Sequence, residues 1–477
     1  MSSVPESVVA DQISHFEIEH DLFRHEIDGW CAWHLLRFPV AMELMNLPLS
    51  SPARQMRLTG AERIAFAVKD GWSWLRPAKA TYLIKTFDSA LGELRDDGFH
   101  DVYFDQLLHT IEGGFKLQAL NFRQFLPRVK EAAYPHNMTT TALDIAVGIL
   151  SRLRVGHEFE RVGNELSRAL QTLNLHMFTS AFVSRMLRHF YWSKYWYKII
   201  LKRLRPRFVV VADTGEFGII AAAKELSIQT FELQHGIVTH NHPHVLRGSA
   251  RPYRAKLPIA NQILLYGDYW KHELDKSGFY EDELVPVGNI RIDRYRDMRV
   301  KYQKKRRDHS CRILLTTQGL DTERLVCFIE EFLSLARHRD VSVALSIKLH
   351  PLYDSSSEIY RQRLDQHSNV DIFLGSEGPA TFELLTQVDL HLSIASACHY
   401  DALGVGVPTV ILPLEGFEMV EALYKDGNAF MARTPEQLFD IIERLHSPSD
   451  TAVSIDSSYF AKSQAIENIN DILQAHL

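Results

Sequence analysis

Residues 208–236 read FVVVADTGEFGIIAAAKELSIQTFELQHG and contain two short apolar runs separated by a segment of helical length and period. Each run is short enough to be a buried strand of a parallel sheet. The first run leads into Asp213, and the second leads into His235. The stretch therefore predicts a strand–helix–strand unit in which Asp213 and His235 stand at the carboxyl ends of two strands, where open α/β sheets bind ligands.

The same alternation continues through the rest of the chain. Short β-rich runs separated by segments of helical character predict further βαβ units, and hence parallel sheets covered by helices on both faces. These runs are RFVVVAD, TFELQHG, QILLYG, LVPVG, RILLTTQG, VALSIKLHP, VDIFLG, VDLHLSI and TVILPL.

The domain organisation follows from composition. Residues 1–205 have mainly helical character, and the polar stretch RGSARPYRAKLP near 250–260 predicts a break before a second βαβ series. We expect an N-terminal domain at 1–255 with a helical elaboration, a C-terminal domain at 256–455, and a terminal helix at 456–477. The two Rossmann-like, doubly wound domains should face a central crevice that holds the ligand.

The overall composition excludes several classes of protein. The 477 residues carry a formal net charge of −6, which gives no global attraction to nucleic acid. No apolar run approaches the ~18 residues of a membrane span, and the acidic N-terminus lacks the features of a secretory signal. Four cysteines far apart in sequence indicate neither a disulfide framework nor a zinc site. We therefore expect a cytoplasmic protein.

One aromatic and basic segment has two interpretations. FYWSKYWYKIIL is followed by KRLRPR at 202–207, and such a helix can rest on an anionic membrane surface. The alternative, which we favour, is a core helix whose basic end meets a turn at Pro206. The first interpretation predicts peripheral association with the cytoplasmic face of the inner membrane.

Candidate catalytic residues follow the first two strands. Asp213 and Glu216 can act on a ligand, or they can serve as a helix cap and a first-turn acid. His235 is a candidate acid, base or ligand contact. His240, His242 and His244 come soon after it, but their spacing and the lack of nearby cysteines or paired acids favour a polar loop over a metal site.

Candidate phosphate-binding residues follow strands of the second half. His350 and Pro351 end one strand, and Ser393 and Ser396 flank the start of a helix whose free N–H groups suit a phosphate. Serine capping of that helix is the alternative. A third strand end supplies further small polar groups, namely Thr316, Thr317, Gln318 and Gly319.

The absence of three motifs argues against several kinds of nucleotide-binding site. The sequence has neither the G-x-x-x-x-G-K-[ST] phosphate loop nor the G-x-G-x-x-G dinucleotide fingerprint. It also lacks D-x-D, the usual metal clamp for a sugar nucleotide with two phosphates. We therefore predict no bound metal.

Several motifs resemble those of a known family. These are FELQHG after an Asp-ended strand, VGNIRIDRY at 287–295, KLHP, and an S-x-x-S segment followed by ALGVGVP. Together they resemble bacterial GT-B glycosyltransferases of capsule and lipopolysaccharide biosynthesis, in particular the retaining β-Kdo transferases that use CMP-Kdo. The resemblance covers roughly 205–420 and, more weakly, ELRDDGFHDVYFDQLL at 93–108.

The resemblance implies roles for individual residues. His350, with Pro351, would contact the CMP phosphate, and Ser393 and Ser396 would meet the same phosphate at the helix start. Asp213 would be the nucleophile or base at the anomeric carbon, with His235 beside it. The carboxylate and sugar of an ulosonate donor would be met by Arg291, Lys348 and Asn289.

The implied partners are a nucleotide-sugar donor and a glycan or lipid-linked glycan acceptor, with no cofactor. CMP carries a single phosphate group and is a leaving group of low basicity. Hydrogen bonds therefore assist its departure more than a metal does. Other donors remain open, among them CMP-sialic acid and CDP-glycerol. A nucleotide-sugar epimerase of the same shape and a non-enzymatic assembly factor are the rival functions.

Overall fold

The computed structural model describes residues 5–46, 57–75, 79–212, 215–306, 310–350, 354, 357–375, 378–446 and 455–477. The chain forms two compact units. The first comprises residues 1–287 and 466–477, and the second comprises residues 288–465.

The first unit is built on a seven-stranded, fully parallel sheet of order β11-β10-β9-β8-β3-β6-β7. Two short antiparallel pairs, β1–β2 and β4–β5, lie outside it. The strands are β1 (Glu26–Ile27), β2 (Trp30–Cys31), β3 (Tyr82–Phe87), β4 (Leu91–Arg95), β5 (Gly98–Asp101), β6 (Gly114–Ala119), β7 (Met138–Thr139), β8 (Phe208–Val211), β9 (Gln229–Leu233), β10 (Gln262–Leu265) and β11 (Leu284–Pro286).

Helices surround this sheet and form the predicted N-terminal elaboration. The two N-terminal helices α1 and α2 share a large apolar core with α7 and α8. The helices of this unit are α1 (Glu6–Glu19), α2 (Ala32–Leu44), α3 (Gly60–Leu75), α4 (Asp105–Thr110), α5 (Leu126–Lys130), α6 (Thr141–Leu150), α7 (His157–Thr172), α8 (Ser180–Leu204), α9 (Phe217–Glu225) and α10 (Asp268–Asp275).

The second unit contains a six-stranded, fully parallel sheet of order β14-β13-β12-β15-β16-β17. Its strands are β12 (Cys311–Thr316), β13 (Val343–Lys348), β14 (Val370–Phe373), β15 (Leu390–Ser393), β16 (Thr409–Ile411) and β17 (Phe430–Met431). The helices that follow α10 are α11 (Ile290–Lys305), α12 (Thr322–His338), α13 (Ser357–Leu364), α14 (Thr381–Gln387), α15 (Cys398–Val405), α16 (Glu421–Lys425), α17 (Pro435–His446), α18 (Ser457–Phe460) and α19 (Ala465–Gln474).

Both parallel sheets share one topology. Counted along the chain within each sheet, the first six strands lie in the order 3-2-1-4-5-6, which is the order of the Rossmann fold. The direction of winding reverses between β3 and β8 in the first unit, and between β12 and β15 in the second. Ligands of such sheets bind outside the carboxyl ends of the strands at this reversal. The topology therefore marks one candidate site in each unit.

The nine strands predicted from residue 208 onward are confirmed, including the β8–α9–β9 unit with which the sequence analysis began. The mainly helical interpretation of residues 1–205 was incomplete, because β3, β6 and β7 supply three strands of the first sheet. Lys85 and Lys116 interrupt the apolar pattern of β3 and β6. Both lysines are buried, and ion pairs with Glu216 and Asp105 compensate their charges.

The boundary between units differs from the expected one at residue 255. β10 and β11 extend the first sheet, so the first unit continues to Val287. The polar stretch at Gly248–Lys256 is a 3₁₀ helix of that unit rather than a linker. Most of the predicted terminal helix, α19, also belongs to the first unit, where the Asn468 side chain donates a 2.8 Å hydrogen bond to the Val287 carbonyl.

The aromatic, basic helix α8 packs into the core, as the favoured interpretation predicted. Lys194 lies 2.6 Å from Asp28, and Lys194 and Lys198 both pair with Glu225. Trp192 and Trp196 pack against the apolar core that covers one face of the first sheet. Among the described helices, none combines the length and the apolar character that crossing a membrane requires.

Candidate functional site

The candidate site of the second unit lies at the carboxyl ends of β12 and β15. The hydroxyl of Ser393, the last residue of β15, donates a 2.7 Å hydrogen bond to the carbonyl of Thr316, the last residue of β12. Ser393 is completely buried, so its hydroxyl joins the two strands and does not face a ligand directly. The hydroxyl of Ser396 accepts a 3.2 Å hydrogen bond from the Cys398 amide at the start of α15. This contact fits the capping alternative.

A buried network of hydrogen bonds fixes the Thr316 side chain. The sequence analysis did not predict this network. A 2.9 Å hydrogen bond joins the Thr316 hydroxyl to Nε2 of His391. The Thr409 hydroxyl lies 2.8 Å from Nδ1 of His391 and 2.6 Å from Nδ1 of His399. Burial lowers the pKa of His399 to about 3 and the pKa of His391 well below its ordinary value, so both rings are neutral. A neutral imidazole can donate or accept one hydrogen bond at Nδ1, so the Thr409 hydroxyl bridges the two rings.

The turn after β12 carries the other predicted residues of this strand end. Thr317 is buried, and its hydroxyl donates to the Asp354 carboxylate, which also accepts a 3.2 Å hydrogen bond from Tyr360. Gln318 is half-buried, and Gly319 is exposed with a φ of +70°. This left-handed φ is favourable for glycine, so Gly319 lets the chain turn sharply at the edge of the sheet.

Residues from β13 stand next to this turn. The Thr317 amide donates a 3.2 Å hydrogen bond to the carbonyl of Lys348, the last residue of β13. Lys348 is buried, and its ammonium lies 5.9 Å from the centre of the Phe373 ring. His350 is half-buried, and burial lowers the pKa of its imidazole below the ordinary value. Pro351 lies outside the described residues.

Arg291 reaches the same end of the second sheet from α11. Its guanidinium stacks on the Phe382 ring at 4.1 Å, and its charge acts on Cys398 and Asp401 of α15. Burial raises the pKa of Asp401 to about 6, although Arg291 opposes the shift. Asn289 has a different role, because its side chain caps α11 by accepting from the amides of residues 291 and 292. The structure thus brings Arg291 to the start of α15, while Asn289 shapes the helix that carries it.

The candidate site of the first unit follows β8 and β9. Asp213 and Thr214 lie outside the described residues. Glu216 precedes α9 and pairs with Lys85 of β3, so the pair joins the two strands at the reversal of winding. Both side chains are at least four-fifths buried. This contact gives Glu216 a structural role in addition to its proximity to the site.

His235 stands exposed just after β9. Its backbone carbonyl accepts a 3.0 Å hydrogen bond from the Tyr103 hydroxyl, and its ring centre lies 6.4 Å from that of Phe87. His235 also lines a cavity of about 290 Å³ beside the carboxyl ends of β9 and β10.

The other histidines of the loop have separate partners. Nδ1 of His240 lies 3.0 Å from the Glu273 carboxylate, whereas His242 stacks on His244 with ring centres 5.6 Å apart. Within the described residues, no group of three or more histidine, cysteine or acidic side chains is arranged to hold a metal ion. The prediction of a metal-free site remains a prediction.

Comparisons with known proteins identify the fold. No protein-family model matches the chain, and no curated protein sequence matches it. Among solved structures, a UDP-GlcNAc 2-epimerase from Neisseria meningitidis, bound to UDP-GlcNAc, is 16% identical over 83% of this chain and 100% of its own, with a TM-score of 0.50. The UDP-GlcNAc 2-epimerase from Methanocaldococcus jannaschii is 15% identical over 83% and 99%, also with a TM-score of 0.50. These likenesses confirm the predicted fold class, two Rossmann-like α/β domains of GT-B type.

Proposed function

We propose that the protein is a glycosyltransferase that moves a sugar from a CMP-linked donor onto a bacterial surface glycan or a lipid-linked glycan. The donor that we propose is CMP-Kdo, and the sugar is Kdo. The observation that carries the proposal is the set of groups at the carboxyl ends of the second sheet. The hydroxyl of Ser396 just before α15, the turn after β12, a histidine after β13 and the cations Arg291 and Lys348 belong to one rim. Such a rim suits a ligand with anionic groups.

The phosphate of the donor is the first of those groups. We infer that it lies between His350 and the start of α15, where backbone amides carry a partial positive charge. CMP needs only hydrogen bonds to its single phosphate in order to leave. The absence of D-x-D from the sequence agrees with a donor of this kind.

The carboxylate of the sugar is the second group. An ulosonate donor carries a carboxylate in addition to its phosphate, whereas a UDP-hexose does not. Arg291 supplies a planar guanidinium that can bind a carboxylate through two parallel hydrogen bonds. Its stacking on Phe382 supports this role, because a ring holds the guanidinium in one plane.

We assign the chemical step to residues that follow two strands of the first unit in the sequence. Asp213 comes shortly after β8, and His235 comes shortly after the neighbouring strand β9. In a retaining reaction the Asp213 carboxylate attacks the anomeric carbon as CMP leaves, and the acceptor hydroxyl then displaces the carboxylate. In an inverting reaction Asp213 removes the proton of the acceptor hydroxyl.

Incubation with a panel of donors tests the proposal. The pure protein is given CMP-Kdo, CMP-sialic acid, CDP-glycerol or UDP-GlcNAc in the presence of EDTA, with and without a mixture of bacterial glycans. We expect CMP release from CMP-Kdo that increases when glycan is added and survives EDTA. Conversion of UDP-GlcNAc without an acceptor would instead identify an epimerase, and no turnover of any donor would favour the assembly factor.

A further inference from the structure

Three helices of the first unit, α3, α6 and α8, are neighbours in the structure. Contacts join α6 to both α3 and α8. The Asp144 carboxylate of α6 interacts electrostatically with Arg63 of α3 and with His189 of α8. The Arg188 side chain of α8 also donates a 3.0 Å hydrogen bond to the Ser151 carbonyl at the end of α6. The three helices therefore form one layer, which we call the α3–α6–α8 layer.

Large apolar side chains are exposed on this layer. Ile64 and Val68 are one turn apart on α3, and Leu153 follows Ile149 of α6 at the same spacing. All four side chains are more than half exposed, at 54–62%. Phe66 is the residue of α3 that packs against the apolar core, so Ile64 and Val68 do not serve as core residues of that helix. A concentration of exposed apolar groups is typical of a contact surface.

The helix α8 adds aromatic side chains to the layer. One side of α8 packs into the core, but Tyr195 is 46% exposed. Its ring centre lies 5.6 Å from that of Trp192 and 5.9 Å from that of Trp196, and both tryptophans are half-buried. Tyrosine and tryptophan combine an apolar ring with a polar group, and both are enriched where proteins meet the membrane–water interface.

The charge around these apolar side chains is positive. The helix α8 contains six lysines and arginines and no acidic residue. The described acids of α3 and α6 have partners within the protein, since Glu62 pairs with Arg123 and Asp144 accepts a hydrogen bond from Thr140. Five exposed cations belong to the three helices or lie within four residues of their ends, namely Lys69, Arg152, Arg154, Arg185 and Lys202.

We propose that the α3–α6–α8 layer binds the surface of an anionic phospholipid bilayer. The exposed aliphatic side chains would enter the headgroup region, and the surrounding cations would contact lipid phosphates. The charge selects this partner, because each lysine or arginine near an anionic bilayer contributes about fivefold in affinity. The binding surface is argued from the layer alone. Its consequence rests on the proposed function: the acceptor would be the lipid-linked glycan rather than a free surface glycan.

Flotation of the full-length protein with lipid vesicles tests the proposal. Vesicles of phosphatidylcholine alone are compared with vesicles that also contain about 30 mol % phosphatidylglycerol. We expect the protein to bind the anionic vesicles at least about tenfold more tightly. This preference should decrease when the NaCl concentration is raised from about 0.1 M to about 0.5 M, because salt screens the attraction between exposed charges.

Two kinds of variant test whether the layer is the surface that binds. Ile149→Ser combined with Leu153→Ser should weaken vesicle binding at least about fivefold, because it removes apolar area from the contact. Ile64→Ser combined with Val68→Ser should have the same effect. Arg152→Gln combined with Arg154→Gln should weaken binding to anionic vesicles at least about tenfold.

Matched controls come from the second unit. Met419→Ser removes an apolar side chain that is 69% exposed, and Lys301→Gln with Lys304→Gln removes two exposed cations of α11. Both controls should change vesicle binding by less than about twofold. Circular dichroism establishes that each variant is folded.

Three results would overturn the proposal: no flotation of the wild type with anionic vesicles, undiminished flotation of the folded layer variants, or an equal loss in the controls. A wild-type dimer that Ile149→Ser with Leu153→Ser converts to a monomer in analytical ultracentrifugation would instead assign the layer to a second copy of the chain. Calorimetric titration with CMP separates the proposal from the proposed function. The layer variants should bind CMP as the wild type does, whereas absence of CMP binding in the wild type would count against the donor alone.

Discussion

The hydroxyl of Ser393 donates a 2.7 Å hydrogen bond to the backbone carbonyl of Thr316 and so joins β15 to β12 at the point where the second sheet reverses its winding. This bond is internal to the fold. It holds in register the two strand ends that carry the candidate phosphate site, although the resemblance implied a direct contact between Ser393 and the phosphate.

Ser393→Ala should therefore reduce stability more than it reduces ligand contacts. Loss of one buried hydrogen bond costs about 1–2 kcal/mol, so the free energy of unfolding should fall by that amount. Chemical denaturation measures the change. Ser396→Ala serves as the comparison, because the Ser396 hydroxyl accepts a hydrogen bond from the nearby Cys398 amide and joins no two strands. An equal loss in the two variants would contradict a special role for Ser393.

Glu216 is expected to stabilise the first unit through Lys85. Glu216→Gln leaves a buried ammonium without its carboxylate, a change that typically costs about 3–5 kcal/mol. We expect a marked fall in the thermal unfolding midpoint. Asp275→Asn removes the exposed partner of Lys271 and should alter the midpoint very little.

The double substitution Lys85→Met with Glu216→Leu separates structure from catalysis. Replacing both charges with apolar groups of similar size should restore most of the stability. Restored stability with normal turnover would assign Glu216 to the fold alone. Restored stability without turnover would instead support a catalytic role for Glu216.

Much of this fold follows from the sequence, because buried strands without charged residues leave an unbroken apolar run. β8, with the sequence FVVV, shows this directly. The strands β9, β12 and β13 each carry one charged residue, but it stands at or next to an end of the strand. The strands β3 and β6 escaped prediction because each contains a lysine, and the acid that makes its burial tolerable lies elsewhere in the chain.

The site was predictable only in part for a similar reason. Residues at or just after the end of a strand, such as Thr316 and His235, can be found from local pattern. The network forms only when β15, α15 and β16 bring together His391, His399 and Thr409. The spacing of these residues in the sequence does not predict it. The stacking of Arg291 on Phe382 likewise joins residues of two separate helices.

Arg291 should distinguish the donor from its nucleotide. Arg291→Gln should weaken the binding of CMP-Kdo by at least about tenfold, the effect of losing a charge-assisted hydrogen bond to a carboxylate. The affinity for CMP, which has no carboxylate, should fall by a smaller factor, because only the longer-range attraction between Arg291 and the phosphate is lost. Equal losses for both ligands in calorimetry would show that Arg291 does not recognise the carboxylate.

The affinity for a CMP diester should depend on pH through His350. Burial holds the pKa of the free imidazole below its ordinary value, and a bound phosphate anion favours the protonated form and raises that pKa. Binding therefore takes up a proton, and affinity should increase as the pH falls from 8 towards 5.5. Cytidine 5′-methylphosphate is the suitable ligand because its diester does not titrate in this range. His350→Gln should abolish the dependence.

The central claim is that the second unit holds the phosphate of CMP at His350, and calorimetric titration with CMP tests it most directly. The wild type and His338→Ala, which changes an exposed histidine at the end of α12, should bind CMP equally. His350→Ala should weaken binding by about 1.5–3 kcal/mol, or roughly 10- to 150-fold, as expected for a hydrogen bond to a charged group. An unchanged affinity for CMP in His350→Ala, with the protein still folded, would contradict the account.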